Sequence, residues 1–169
     1  MEALFGVINL DKPTGITSRA AINRLQGRVR PAKLGHGGTL DPLASGVLLL
    51  LVGKATRLMP YVQRLEKKYL ATFQLGVESE TEDIEGTVTP LEGARRPTRS
   101  EVAEELPRWI GTIQQKPPAF SALKVKGKRA YQLAREGKQL DLSPREVVIH
   151  QLVLDHYEYP LLRLKICCG

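Results

Sequence analysis

Cysteine is scarce in this sequence of 169 residues, since Cys167 and Cys168 are the only two and they are adjacent. Such a pair provides neither a disulfide framework nor the spaced ligands of a zinc site. The longest run of purely apolar residues covers positions 47–52, whereas a membrane span needs about 20. The N-terminus lacks the basic-then-apolar pattern of a signal peptide. These absences favour a protein of the reducing cytoplasm that is not associated with a membrane, and the length of 169 residues fits a single domain over residues 1–169.

Charge is unevenly distributed along the chain. The net charge is +7, and residues 116–145 hold eight basic and two acidic residues. Residues 1–76 hold eleven basic and four acidic residues, while residues 77–105 hold nine acidic and three basic ones. A solvated surface alone can account for dispersed lysines, but clustered basic residues favour a nucleic-acid partner.

One glycine-rich loop is the strongest candidate site. It reads LGHGGTLDPLASG at residues 34–46, and an apolar run follows it. Glycines make the loop tight, and Pro42 restricts Asp41 to extended conformations. Asp before Pro also begins many ordinary turns, and a lone histidine such as His36 is usually structural. The pattern therefore indicates a rigidly held carboxylate at a strand edge, with a simple turn as the alternative.

The periodicity of the chain predicts an α+β fold with a mixed or antiparallel sheet. Strands are predicted at residues 4–10, 47–52, 68–76, 121–125, 147–157 and 161–168, the last two as a hairpin about Pro160. Helices are predicted after a cap at Thr17 or Ser18, after the capping box at residues 98–101, and over residues 130–136. A further helix is predicted over residues 55–65, with Pro60 expected to kink or shorten it.

Several motifs together resemble the TruB-type tRNA pseudouridine synthases, which make the pseudouridine-55 of the tRNA T-loop. The matching blocks follow the family order across nearly the whole chain, which makes the resemblance specific. They are GVINLDKPTG at 6–15, GHGGTLDPLASGVL at 35–48, GKATR at 53–57, KKY at 67–69, SETEDIEG at 79–86, QQKPPAFSALK at 114–124 and GKRAY at 127–131.

The resemblance implies a pseudouridine synthase catalytic fold, with a mixed, largely antiparallel sheet, flanking helices and an RNA-gripping thumb insertion at about residues 116–145. Asp41 matches the catalytic aspartate, His36 the histidine that contacts the substrate RNA, and Tyr69 the tyrosine that stacks on the target base. It also implies RNA contacts from five basic residues: Lys12, Lys124, Lys126, Lys128 and Arg129.

The implied reaction breaks the N1–C1′ bond of a uridine and joins C5 to C1′, so it requires no cofactor and no metal. A carboxylate can attack C1′ or remove a ribose proton, and the residues leave both routes open. The base must first be extruded from its loop, which costs a few kcal/mol. Stacking on an aromatic ring returns about 1–3 kcal/mol per base.

Relatives in this family continue after the strand ending near Cys168 into a Lys-Gly-Thr-Tyr-Ile-Arg-like motif. That motif supplies a second active-site tyrosine and an arginine that pairs with the catalytic aspartate. We therefore expect the sequence to represent the N-terminal part of a longer catalytic chain. The alternative function is a non-catalytic module that binds the T-arm of tRNA or assists its folding. A phosphate-binding enzyme is a weak third alternative, because the loop has neither a Gly-Lys-Thr/Ser ending nor the glycine spacing of a dinucleotide-binding motif. No protein partner is indicated.

Overall fold

The computed structural model describes residues 4–117 and 142–169, together with the strand backbone at 124–125 and 128–129. The chain divides into two compact units, Met1–Leu65 and Glu66–Gly169, called unit 1 and unit 2 below. In the parts of the chain that are described, no helix is long and apolar enough to cross a membrane.

Unit 1 is a small antiparallel sheet with a helix packed against it. Its elements are β1 (Gly6–Lys12), α1 (Ser18–Val29), β2 (Leu34–His36), β3 (Gly46–Val52), a 3-10 helix (Gly53–Leu58) and α2 (Met59–Gln63). The strand order is β1-β3-β2, with both pairings antiparallel. This arrangement places the loop between β2 and β3 at one edge of the unit.

The core of unit 1 forms where α1 meets β3. Ala21, Ile22 and Val29 lie on one face of the helix and pack against Leu48 and Leu50. Helical spacing predicted this apolar stripe, and the structure confirms it. Thr17 is the N-cap, because its hydroxyl accepts a hydrogen bond from the amide of Ala20 at 3.0 Å. The structure thus settles the choice between Thr17 and Ser18.

Unit 2 is built on a four-stranded antiparallel sheet in the order β4-β11-β10-β7. Its elements are β4 (Lys67–Gln74), β5 (Val77–Ser79), β6 (Val88–Pro90), α3 (Arg99–Glu105), a 3-10 helix (Leu106–Trp109), β7 (Gly111–Gln115), β8 (Lys124–Val125), β9 (Lys128–Arg129), β10 (Arg145–Glu158) and β11 (Leu161–Cys168). The hairpin about Pro160 is confirmed, with Glu158 paired to Leu161. All strand pairs that are described are antiparallel, which fits the expected α+β class.

The predicted capping box begins α3. The hydroxyl of Thr98 accepts the Glu101 amide at 3.3 Å, and the carboxylate of Glu101 accepts the Thr98 amide at 2.7 Å. These hydrogen bonds, first the one from the Thr98 backbone, hold the pKa of Glu101 below its ordinary value of 4.5, and nearby Arg95 acts in the same direction. The capping box therefore stabilises the start of α3 when the carboxylate of Glu101 is ionised.

Three predictions on local structure are confirmed in part or stay untested. The strand at residues 47–52 was expected to be buried on both faces, and Leu48, Leu50, Leu51 and Val52 are buried, whereas Val47 at its start is 63% exposed. The helix over residues 55–65 is interrupted near Pro60, as expected: it divides into a 3-10 segment and the short α2, with Pro60 in the first turn of α2, where a missing amide costs nothing. The helix expected over 130–136 lies outside the described residues, and so does most of the thumb.

Candidate functional site

Asp41 lies in the loop that joins β2 to β3 in unit 1, and its side chain is exposed. Across the described ranges 4–117, 124–125, 128–129 and 142–169, no hydrogen bond or ion pair engages its carboxylate. The carbonyl of Asp41 accepts the Ala44 amide at 3.1 Å and closes a turn. The backbone carbonyl of Asp41 thus stabilises the turn, while its carboxylate is exposed to solvent.

The residue before Asp41 is tied to the start of α1. The Ser18 hydroxyl accepts the Leu40 amide at 2.9 Å and donates to the Leu40 carbonyl at 2.9 Å. Ser18 is 3% exposed, so this exchange is shielded from water. It is possible because Thr17 takes the capping role and leaves the next hydroxyl available. One side of Asp41 is therefore anchored to the first turn of a packed helix.

The residue after Asp41 is tied to the turn between β1 and α1. The Pro42 carbonyl accepts the amide of Gly15 at 2.8 Å. Gly15 has φ +80°, a backbone conformation that side chains disfavour, so glycine suits this turn. Asp41 is consequently flanked on both sides by hydrogen bonds to the segment 15–18, which holds the carboxylate in place before any ligand arrives.

Lys12 stabilises the same turn, which corrects its predicted role. Its side chain is 0% exposed, and its ammonium donates to the carbonyls of Pro13 at 2.9 Å and Ile16 at 2.8 Å. A buried ammonium satisfied by carbonyls cannot reach a phosphate at the surface. The predicted RNA contact by Lys12 is therefore wrong in this structure, and Lys12 instead supports the turn that holds Pro42.

His36 ends β2 and begins the loop that leads to Asp41. Its Nδ1 is hydrogen-bonded to the carbonyl of Gly38. A carbonyl only accepts, so Nδ1 must carry the proton. Within the described portion of the chain Nε2 has no hydrogen-bond partner. The ring is thus oriented by the loop itself, with Nε2 left to a ligand.

Gly37 is buried beneath the same loop. Its amide donates to the Leu49 carbonyl at 2.9 Å. A Cβ at this position would lie 2.3 Å from Cγ1 and 3.3 Å from Cβ of Val62, a short and stiff side chain. Close packing against α2 therefore requires a glycine here and fixes the path of the loop after His36.

Charge isolates Asp41 further. From Lys12 to Leu65 the sequence has nine basic residues, and Asp41 is the only acidic one. Eight of the nine cations are exposed, the exception being Lys12. A single carboxylate on a strongly basic surface suits a site that attracts a polyanion and acts on it at one point.

Tyr69 lies in unit 2, on β4, and is 43% exposed. It pairs with Ile166 of β11, as Phe73 pairs with Leu162, so the predicted alternation of β4 is confirmed. The same sheet face forms one wall of an apolar groove of about 760 Å³, covered at one side by α3 and the 3-10 helix that follows it. Tyr69 thus stands on an apolar sheet face with its ring partly accessible.

The remaining predicted contacts lie in the segment at about residues 116–145 that is predicted to form the thumb. Lys124 pairs with Arg129, and Lys128 pairs with Val125, in the short β8–β9 ladder. Lys126 lies outside the described residues. In the part of the chain that is described, no three His, Cys, Asp or Glu side chains gather in a way that could hold a metal ion. The RNA contacts of the thumb stay a prediction.

Comparison with solved structures identifies the class of fold. The chain matches a protein in the crystal structure of a Cbf5-Nop10-Gar1 complex with a TM-score of 0.68 and 26% identity, over 97% of this chain and 39% of the other. A chain in the structure of an H/ACA RNP bound to a substrate RNA containing 2'-deoxyuridine matches with a TM-score of 0.66 at 23% identity, over 97% of this chain and 38% of the other, which supports the fold alone. The architecture is that of a pseudouridine synthase.

Sequence comparison identifies the family. Residues 26–169 match the TruB family pseudouridylate synthase N-terminal domain, and the chain belongs to this family. It is 42% identical over 170 residues to tRNA pseudouridine synthase B of Rhodopirellula baltica, covering 97% of this chain and 49% of that protein. It is 47% identical over 149 residues to the Rhizobium etli protein of the same name, covering 88% of this chain and 48% of that protein. The chain spans about half the length of these curated relatives.

Sequence reasoning missed two supports of the site. The role of Ser18 had a weak signal, since two hydroxyl residues follow the turn and only one can cap α1. The role of Lys12 had none, because its position between Asp11 and Pro13 reads as an exposed turn.

Proposed function

We propose that this protein isomerises uridine to pseudouridine in the T-loop of tRNA, at position 55, with Asp41 as its catalytic group. The observation that carries the proposal is the presentation of Asp41: exposed, without a partner in the described chain, and flanked by the tethers at Leu40 and Pro42. The named relatives, tRNA pseudouridine synthases B, support tRNA as the substrate.

The proposed reaction is balanced without any added group. The N1–C1′ bond of the uridine breaks, the uracil rotates, and a C5–C1′ bond forms. The hydrogen on C5 is then lost to solvent, and N1 takes a proton. Asp41 either attacks C1′ or removes a ribose proton, and both routes need a carboxylate that is accessible and held in position.

Two further residues are proposed to hold the extruded nucleotide. His36 offers Nε2 to the RNA, since Nδ1 is occupied by the Gly38 carbonyl. Tyr69 offers a partly exposed ring on an apolar sheet face for stacking on the target base. The thumb residues Lys124, Lys126, Lys128 and Arg129 are proposed to contact the T-arm. The reducing cytoplasm is the proposed compartment, in keeping with the free thiols of the adjacent cysteines.

The test uses the protein expressed from its complete gene and a tRNA transcript tritiated at C5 of uridine. Formation of the C5–C1′ bond releases tritium to water, so the release rate reports the isomerisation itself. We expect Asp41→Asn to lower this rate by at least about 100-fold, as for loss of a group that acts on the reacting atoms. Binding of the tRNA should persist, because the variant removes a negative charge from a basic surface.

Asp11→Asn is the matched control. Asp11 is the other carboxylate described in unit 1, and it is also exposed. Its variant makes the same change of charge and should keep the wild-type rate. Retained turnover by Asp41→Asn would contradict the assignment of Asp41. A wild-type protein that binds tRNA and releases no tritium would contradict catalysis and favour the binding module.

A further inference from the structure

A group of exposed cations lies at the C-terminal half of α1 and in the segment that follows it. We call Arg24, Arg28, Arg30 and Lys33 the α1 patch. All four side chains are exposed. Arg24 and Arg28 are four residues apart and therefore lie on one face of the helix, one turn from each other. The segment carrying the other two is tied back to α1 by a hydrogen bond from Gln26 Nε2 to the Ala32 carbonyl at 3.0 Å.

Within the described residues the α1 patch has no carboxylate partner, whereas several cations of unit 2 have one. In unit 2, Arg95 pairs with Glu101, and Arg108 with Glu105 at 2.8 Å. The carboxylate of Asp155 forms ion pairs with Arg163 Nε and Lys165 Nζ, each at 2.6 Å. Within the described residues none of the four patch cations forms an ion pair, and α1 itself contains no acidic residue.

Repulsion within the α1 patch indicates an anionic partner. Like charges four residues apart destabilise a helix, and no carboxylate among the described residues of unit 1 pairs with them. A membrane surface is a poor fit, because an interfacial helix must insert its apolar face. On α1 that face, with Ala21, Ile22 and Val29, is already buried in the core. A solvated polyanion, which needs only the exposed face, fits better.

The position of the α1 patch in the chain indicates which polyanion. Lys33 immediately precedes β2, and β2 ends at His36. Three residues of strand span about 10 Å, so Lys33 is close enough to His36 to contact the backbone of an RNA strand whose nucleotide enters there. We propose that the α1 patch contacts the phosphate backbone of the RNA that enters the Asp41 loop. This inference rests on the proposed function for the identity of the polyanion.

The test measures the affinity of the whole protein for a fluorescent tRNA transcript across a range of monovalent salt. Each phosphate contact contributes about 0.7–0.9 to the slope of log K against log salt. Arg24→Gln with Arg28→Gln should therefore lower the slope by about 1.4–1.8. If these contacts contribute nothing near 1 M salt, the Kd of the double variant at about 0.1 M salt should exceed that of the wild type by roughly 25- to 60-fold. Arg24→Lys with Arg28→Lys keeps the charge and should restore most of the slope.

Arg95→Gln with Arg108→Gln is the matched control, since it removes the same charge from exposed but paired sites in unit 2. We expect its slope to stay at the wild-type value. If the salt slope of tRNA binding fell equally in the two double variants, the proposal would be overturned, because the change would then reflect net charge alone. It would also be overturned if the α1 variant kept its tRNA affinity but lost binding to phosphatidylserine vesicles. The readout is binding, so a missing isomerase activity would overturn the proposed function and leave this result standing.

Discussion

Removal of the Ser18 hydroxyl tests whether the tether at Leu40 positions Asp41. In Ser18→Ala the Leu40 amide and carbonyl each lose a partner at 2.9 Å, in a place that water reaches poorly. Each such bond contributes about 1 kcal/mol net, so the loss is about 2 kcal/mol. The higher helix propensity of alanine offsets a few tenths of a kcal/mol of this loss. For a chain of this size the melting temperature should fall by about 4–8 °C.

The effect on turnover should exceed the effect on folding. Asp41 is the next residue after Leu40, and a shift of about 1 Å in a reacting group can cost about 100-fold in rate. Tritium release at saturating tRNA, measured below the melting temperature of the variant, should fall by one to two orders of magnitude. Binding of tRNA should stay unchanged, since the hydroxyl is buried.

Ser100→Ala is the control, because Ser100 is exposed on α3 and belongs to unit 2. It should change neither the melting temperature nor the rate. A Ser18→Ala protein that melts as expected but turns over at the wild-type rate would refute the reasoning, because the tether would then stabilise the fold without positioning the carboxylate.

Two further predictions concern Lys12 and Glu101. Lys12→Met should lower the free energy of unfolding by about 1–3 kcal/mol, as measured by urea titration, because the Pro13 and Ile16 carbonyls lose their donor. The slope of log K for tRNA binding against log salt should not change. A slope reduced by about one would instead support the RNA contact first predicted for Lys12. The lowered pKa of Glu101 makes its stabilisation complete above the ordinary value of 4.5 and lost as the pH falls through the folded pKa. Between neutral pH and a pH below 4.5, the urea midpoint of the wild type should therefore fall more steeply than that of Glu101→Gln, and parallel curves would contradict the linkage.

Local chemistry made much of the fold predictable. The capping box at Thr98 and Glu101 and the alternation of β4 each depend on neighbours within a few residues, and both are confirmed. The hairpin about Pro160 is signalled by two alternating strands with a short turn, and it too is confirmed. Patterns of this kind are visible in sequence because the interacting groups are close along the chain.

The supports of the candidate site were less predictable because they join distant segments. Ser18 and Leu40 are 22 residues apart, and no periodicity links the first residue of a helix to a distant loop. Lys12 illustrates the same difficulty, since burial of a cation depends on which carbonyls the folded turn gathers around it. Asp41 itself was identifiable, because glycine and proline mark a stiff loop in the sequence alone.

The contact between Gly37 and Val62 makes two distant positions share one volume. Atoms added at residue 37 have to be subtracted at residue 62, because the methyl of the valine already fills the site that a first carbon would take. Homologues bearing serine or threonine at the former position should accordingly bear alanine or glycine at the latter. The segment after β3 thus limits the side chain that the loop before it can carry at residue 37.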